Sequence, residues 1–117
     1  MNTTEDGQPV GEAPEVTPCG RTIYIAGPMT GIPEYNYPAF HAKATELRAQ
    51  GHTVHNPAEN DDGSTGKSWE HYMRLALRQL IQCDEIHFLP GWRDSRGACV
   101  ERFVADTLAM RVSGAEA

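Results

Sequence analysis

Residues 83–106 read CDEIHFLPGWRDSRGACVERFVAD, which spells a strand, a tight loop and a helix in that order. Ile86, Phe88 and Leu89 form a short apolar run behind Asp84, the pattern of a buried strand. Pro90 and Gly91 end it. After Ser95-Arg96-Gly97, the residues Val100, Phe103, Val104 and Leu108 recur at steps of three and four, the apolar stripe of a helix. Glu101 falls in the first turn of that helix. A carboxylate there faces the positive end of the helix dipole and is expected to stay ionised and held in place. Acidic residues are ordinary in first turns for the same reason, so position alone assigns Glu101 no role.

Outward from this stretch the alternation repeats. Thr22-Ile23-Tyr24-Ile25-Ala26 is β-branched and aromatic and stops at Gly27-Pro28, which predicts a first strand. Residues 27–37, GPMTGIPEYNY, form a loop rich in glycine, proline and aromatics. Asn36 is placed to cap a helix with Pro38 in its first turn, ending at Gln50 before Gly51, with Phe40, Ala44 and Leu47 as its buried stripe. Residues 52–56 give a short second strand, closed by Pro57. Residues 58–67, with DDGSTG at their centre, read as a polar and flexible loop. Ser68 caps a second helix over residues 69–82, with Met73, Leu77, Leu80 and Ile81 on one face. Beyond Leu108, residues 110–112 can add an edge strand, and residues 114–117 read as a frayed end.

The chain has 117 residues, enough for one domain, and a formal net charge of −6. Four acidic residues and no Lys or Arg lie in residues 1–19, which leaves 12 acidic against 10 basic for the rest. The acidity therefore belongs to an N-terminal segment that also carries Pro9, Pro14 and Pro18. Residues 1–20 are expected to be a disordered acidic tail, because they bury too little apolar surface to offset their ordering entropy. The domain spans residues 21–113. It has no basic stripe for duplex nucleic acid, no apolar run of membrane-spanning length and no signal-peptide pattern. Cys19, Cys83 and Cys99 are an odd set without CxxC spacing, which reads as reduced thiols of a cytoplasmic protein. His52-x-x-His55 would point its two rings to opposite faces of a strand, so no metal is expected, and no cofactor either.

Strands alternating with helices at these spacings predict an α/β fold. Its form is a small open parallel sheet, Rossmann- or flavodoxin-like, of order 2-1-3 with a fourth strand outside the third and helices on both faces. Ligands in such sheets bind beyond the carboxyl ends of the strands, where the winding direction reverses. That point lies between strands one and three, so residues 27–37 and 90–97 should face one crevice. Glu101 would be at its floor, near glycines that allow close backbone approach to a ligand. Ser95 and the free amides at the start of the third helix suit an anion such as phosphate, with Arg93 and Arg96 beside it. A fixed carboxylate beside an anion site suits attack on the anomeric carbon of a sugar phosphate, or the holding of a ribose hydroxyl.

The first-strand motif Tyr24-Ile25-Ala26-Gly27-Pro28 and the later Ser95-x-Gly97-x-x-x-Glu101 resemble the nucleoside 2-deoxyribosyltransferase-like superfamily. The fuller pattern YIAGPMTG, NPAE, SWEHYM, LPGW and SRGACVE resembles a branch of small phage and bacterial proteins within it. The resemblance runs from about Thr22 to Met110. It implies cleavage or transfer of the N-glycosidic bond of deoxynucleosides or their 5′-monophosphates. Glu101 would be the nucleophile, forming a covalent sugar–enzyme intermediate. Ser95 would meet the sugar's 5′ end, where serine suits phosphate and a carboxylate would repel it. Tyr24 and Gly27 match residues lining the sugar and phosphate pocket, and Pro28 and Gly97 belong to the same motifs.

One departure stands out. The superfamily's aspartate on the second helix, eight residues before the position of Asp84, is Ala76 here. General acid–base help of the kind that carboxylate gives is typically worth ~10²–10⁴-fold. Glu70 and His71 lie on other faces of the helix. The expected function is thus an N-glycosidase or deoxyribosyltransferase. The alternative is a catalytically impaired module that binds or senses a nucleotide-derived ligand. Trp92, just after Pro90-Gly91, would stack on a base or cover the crevice, or else be a partly exposed aromatic that meets another subunit. Cys99 reads as a small core-facing side chain. The small core, exposed aromatics such as Trp69 or Trp92, and the resemblance together predict a homodimer or larger assembly.

Overall fold

Period-two alternation in the strands sorts their side chains onto two faces, and each face meets a different set of helices. The computed structural model describes residues 20–60 and 67–116. The expectations of a disordered tail and of a flexible DDGSTG loop fall largely on residues 1–19 and 61–66, outside the described residues. The elements run β1 (Thr22–Ala26), α1 (Tyr37–Ala49), β2 (Thr53–His55), α2 (Trp69–Leu80), β3 (Glu85–Phe88), α3 (Arg96–Thr107) and β4 (Arg111–Ser113). Short 3₁₀ turns at Pro33–Asn36, Pro57–Asn60 and Trp92–Asp94 join them. All pairings are parallel and the strand order is β2-β1-β3-β4, as the alternation predicts. Ile23 and Ile25 of β1 pack with Phe40, Ala44 and Leu47 of α1 on one face. Tyr24 and Ala26, with Ile86 and Phe88 of β3, meet Ala76 and Leu80 of α2 and Ala98 and Ala105 of α3 on the other. No helix among the described residues is long and apolar enough to cross a membrane.

The two helices over the second face sit differently from their apolar periodicity. On α3 the buried residues are Ala98, Glu101 and Ala105, while Phe103 is 72% and Leu108 52% exposed. Small side chains let that helix approach the sheet closely, and its larger apolar residues turn outward. On α2, Ala76 and Leu80 are buried, but Ile81 is 59% exposed. Cys99 is likewise exposed, not core-facing.

The C-terminal end is tied down, not frayed, through Ala115. Its carbonyl accepts from the Trp92 indole N–H at 3.1 Å and from Arg93 Nη2 at 2.6 Å. Gly114 makes this docking possible: its φ is +72°, and a Cβ there would stand 2.4 Å from the Phe88 carbonyl oxygen. Trp92 is buried, its ring 4.5 Å from that of Phe88. It is a core residue beneath β3 and β4, placed neither to cover the crevice nor to meet a subunit, because β4 and the segment after it close over its edge.

Candidate functional site

β1 and β3 end side by side, with Ala26 paired to Phe88, so the loops that follow them leave the sheet together. A cavity of about 960 Å³ opens there, walled by the loop after β1, by α2 and by the start of α3. Tyr24, Gly27, Pro28, Ser95, Gly97 and Glu101 all line it. Trp92 is not among its lining residues.

Glu101 sits at the floor, 5% exposed. It lies in the second turn of α3, because the helix begins at Arg96. The buried Tyr24 hydroxyl donates to its Oε2 at 2.6 Å, a bond from β1 to α3 across the second face of the sheet. Burial raises the Glu101 pKa from 4.5 to about 7, and the Tyr24 hydrogen bond works in the opposite direction. The helix-dipole expectation of a firmly ionised carboxylate is therefore overturned: desolvation outweighs the dipole once the residue moves from the first turn into the interior. Tyr24 is held well above its ordinary range, first by its own burial and then by the adjacent carboxylate. Near neutral pH the Glu101 carboxyl group therefore stands between its protonated and ionised forms.

Ser95 caps α3, its Oγ accepting from the Ala98 N–H at 3.1 Å. That contact uses a lone pair, so the hydroxyl proton remains to donate into the cavity. The two glycines serve packing more than ligand approach. A Cβ on Gly27 would stand 2.9 Å from Leu89 Cβ, and one on Gly97 would stand 3.1 Å from Met73 Sδ. Gly27 therefore lets the two crevice loops touch, and Gly97 lets α3 close on α2. The two arginines part company. Arg96 lines the cavity with its guanidinium 3.8 Å from the centroid of the Trp69 ring, whereas Arg93 turns to Ala115.

Several lining residues were given no part in the site by the sequence reading. Trp69, Tyr72, Met73 and Ala76 share one face of α2 and form a wall. Their spacing was readable, but the apolar pattern pointed one step around the helix. Ala76, on this wall, is 7% exposed, and neither Glu70 nor His71 shares the cavity. Besides Glu101, the carboxylate lining the cavity among the described residues is Asp94. Asn60 also lines it, its amide locked to Gln79 by reciprocal bonds of 3.0 and 2.9 Å. Opposite α2, Glu34, Tyr35 and Asn36 have φ of 56°, 53° and 62°, three successive non-glycine residues in the left-handed region. Asn36, expected to cap α1, instead donates from Nδ2 to the Pro28 carbonyl at 3.0 Å. This turn sets Tyr35 and Tyr37 on the cavity with ring centroids 6.0 Å apart.

Among the described residues, no group of three or more His, Cys, Asp or Glu stands close enough to hold a metal ion. A comparison with curated proteins finds no match. Residues 21–113 match the model of the family described as a domain of unknown function, DUF4406, and the chain belongs to that family.

Proposed function

We propose that the protein acts on the N-glycosidic bond of a nucleoside or nucleoside 5′-monophosphate, with Glu101 as the attacking carboxylate. The observation that carries this reading is the Tyr24–Glu101 pair: a 2.6 Å hydrogen bond on a buried carboxylate at the floor of a large, aromatic-lined cavity. Burial makes the carboxylate poorly solvated and so more nucleophilic when ionised, while Tyr24 holds its orientation. Attack by Glu101 on the anomeric carbon would form a sugar ester and break the bond to the base, which leaves with the bonding electron pair. Water or a second base then takes the sugar and returns the carboxylate. Ser95 and the amides at the head of α3 would meet the 5′ end, and the aromatic walls would flank the base.

A second reading rests on Ala76. At this point of the wall a methyl group faces the cavity, so position 76 offers the leaving base no carboxyl proton. The protein would then hold a nucleotide-like ligand and turn it over slowly or not at all. Liberation of free base, followed by chromatography over a panel of deoxynucleosides and their monophosphates, separates the two. Ala76→Asp is expected to raise base release by ~10-fold or more, within the range of general acid–base help. Adding Glu101→Gln should abolish the gain. If the unaltered chain is already efficient, the binder reading fails. If a folded Ala76→Asp gains nothing on any member of the panel, the glycosidase reading loses its support.

A further inference from the structure

A glycosidic bond breaks with its electron pair on the base, so an ordinary base departs as an anion and needs a proton as it goes. The cavity is poor in groups that can give one. Its carboxyl groups among the described residues are Glu101 and Asp94. Glu101 must be ionised to attack, so it has no proton to give in that step. Asp94 is exposed and adjoins Ser95, at the end that would meet the 5′ group. Ala76 puts a methyl group on the α2 wall. Tyr35 and Tyr72 line the cavity too, but a phenol is a far weaker acid than a carboxyl group. What the walls offer instead is aromatic surface, with Tyr35 61% and Tyr72 39% exposed. The face of Trp69 already holds a planar cation, the Arg96 guanidinium, 3.8 Å from the ring centroid.

We propose, resting on the glycosidic reading above, that the base this cavity takes is a cationic heteroaromatic ring, a pyridinium or an N7-alkylated purine. When Glu101 bonds to the anomeric carbon, the pair of the carbon–nitrogen bond passes to the ring and cancels its charge. The base then leaves neutral and needs no proton. Water attacks the same carbon, loses a proton to solvent and restores the carboxylate. A cation in the cavity also favours the ionised form of Glu101, whose pKa of about 7 leaves it only partly ionised at neutral pH. Aromatic faces suit such a ring, because their electron density attracts a planar cation where it would give a neutral base stacking alone. Against Trp69 the ring would take the place that Arg96 now fills. Arg96, next to Ser95, would then be released toward a 5′-phosphate.

Matched pairs of nucleoside 5′-monophosphates that differ in the charge of the base test this, each in ribose and 2-deoxyribose form. One pair sets 7-methylguanine against guanine, the other nicotinamide against dihydronicotinamide. Release of free base by the full chain at pH 7, corrected for the enzyme-free rate, should be ~100-fold or more faster from the charged member. Ala76→Asp should narrow that gap by speeding the neutral member alone, and Glu101→Gln should abolish release from both. The inert Glu101→Gln variant should still bind the charged member ~10-fold more tightly in titration calorimetry, a preference that Trp69→Leu reduces. Equal release from the two members of each pair overturns the proposal and leaves the glycosidic reading standing. So does a gap that a folded Ala76→Asp leaves unchanged, because it would then reflect only the base's own ease of departure. Equal affinity of Glu101→Gln for both members overturns it however Ala76→Asp folds. Absence of release from every pair sinks the glycosidic reading and this one together.

Discussion

Glu101 costs the fold stability in order to stand where it does. Its folded pKa of about 7 lies above the ordinary 4.5, so folding favours the protonated form. That contribution is complete below about pH 4.5 and is lost as pH rises through 7. Glu101→Gln keeps the shape and the Tyr24 hydrogen bond but never ionises. It should therefore be more stable than the unaltered chain at pH 8, by an amount approaching ~3 kcal/mol, and the two should converge by about pH 4.5. Urea melts at a series of pH values measure this; equal stability at pH 8 would show that the carboxylate is better solvated than its 5% exposure implies. On the proposed reaction the same group must be ionised to attack, so base release should climb with pH through about 7 and then level. Stability and reactivity thus run in opposite directions with pH at one side chain. Glu101, Tyr24 and Ser95 were legible in the sequence because motif and topology agreed on them. The protonation state was not, since it depends on burial that a linear pattern does not carry.

The local elements were legible wherever a side chain acts on its own neighbours and obscure where a distant contact decides. Ser68 caps α2 as its position predicts, accepting from the His71 N–H, and Ser95, read from the sequence as part of an anion site, caps α3 in the same way through the Ala98 N–H. Asn36 had the same local credentials, yet the Pro28 carbonyl, eight residues back, claims its side chain and turns the backbone left-handed. The outward turn of Phe103 was hidden for a similar reason: small residues and a glutamate, not the large apolar ones, face the sheet. The left-handed turn at 34–36 yields a prediction of its own. Each non-glycine residue there costs roughly 1–2 kcal/mol, and Glu34 is exposed, with φ of 56°. Glu34→Gly relieves the strain but gives the unfolded chain more freedom, so the net gain should be about 0.5–1 kcal/mol. A thermal melt checks it. Tyr35→Gly relieves similar strain and removes a cavity wall, so it should gain stability and lose affinity for an aromatic ligand. Equal ligand affinity in both variants would remove Tyr35 from the site.

The strand order of the whole sheet was legible because only a few topologies satisfy short, right-handed crossovers. How the sheet's far edge is secured was not. Glu85, 4% exposed at the start of β3, gathers three partners from other parts of the chain. Arg21 Nε approaches its Oε1 at 2.6 Å, Arg111 Nε stands 3.8 Å from the same oxygen, and Ser113 Oγ donates to Oε2 at 2.8 Å. The carboxylate thus links the lead into β1 with β3 and β4. Nothing in the spacing of residues 21, 85, 111 and 113 announces this, since the sheet order alone brings them together. The two sides of the cluster are unequal, because the Arg21 and Arg111 side chains are 38% and 65% exposed while that of Glu85 is 5% exposed. Removing the carboxylate leaves guanidinium groups that water can take over. Removing Arg21 leaves a buried charge short of its nearest partner. Orphaning a buried group costs about 1–3 kcal/mol, whereas losing an exposed one costs little beyond the bond itself. Arg21→Met should therefore destabilise more than Glu85→Met, by ~1 kcal/mol or more, and the double variant should recover most of the difference. Urea melts of the three variants at neutral pH decide it. Equal losses, or a larger loss for Glu85→Met, would mean that the carboxylate is hydrated from the β4 edge and that packing, not charge, holds that side of the sheet.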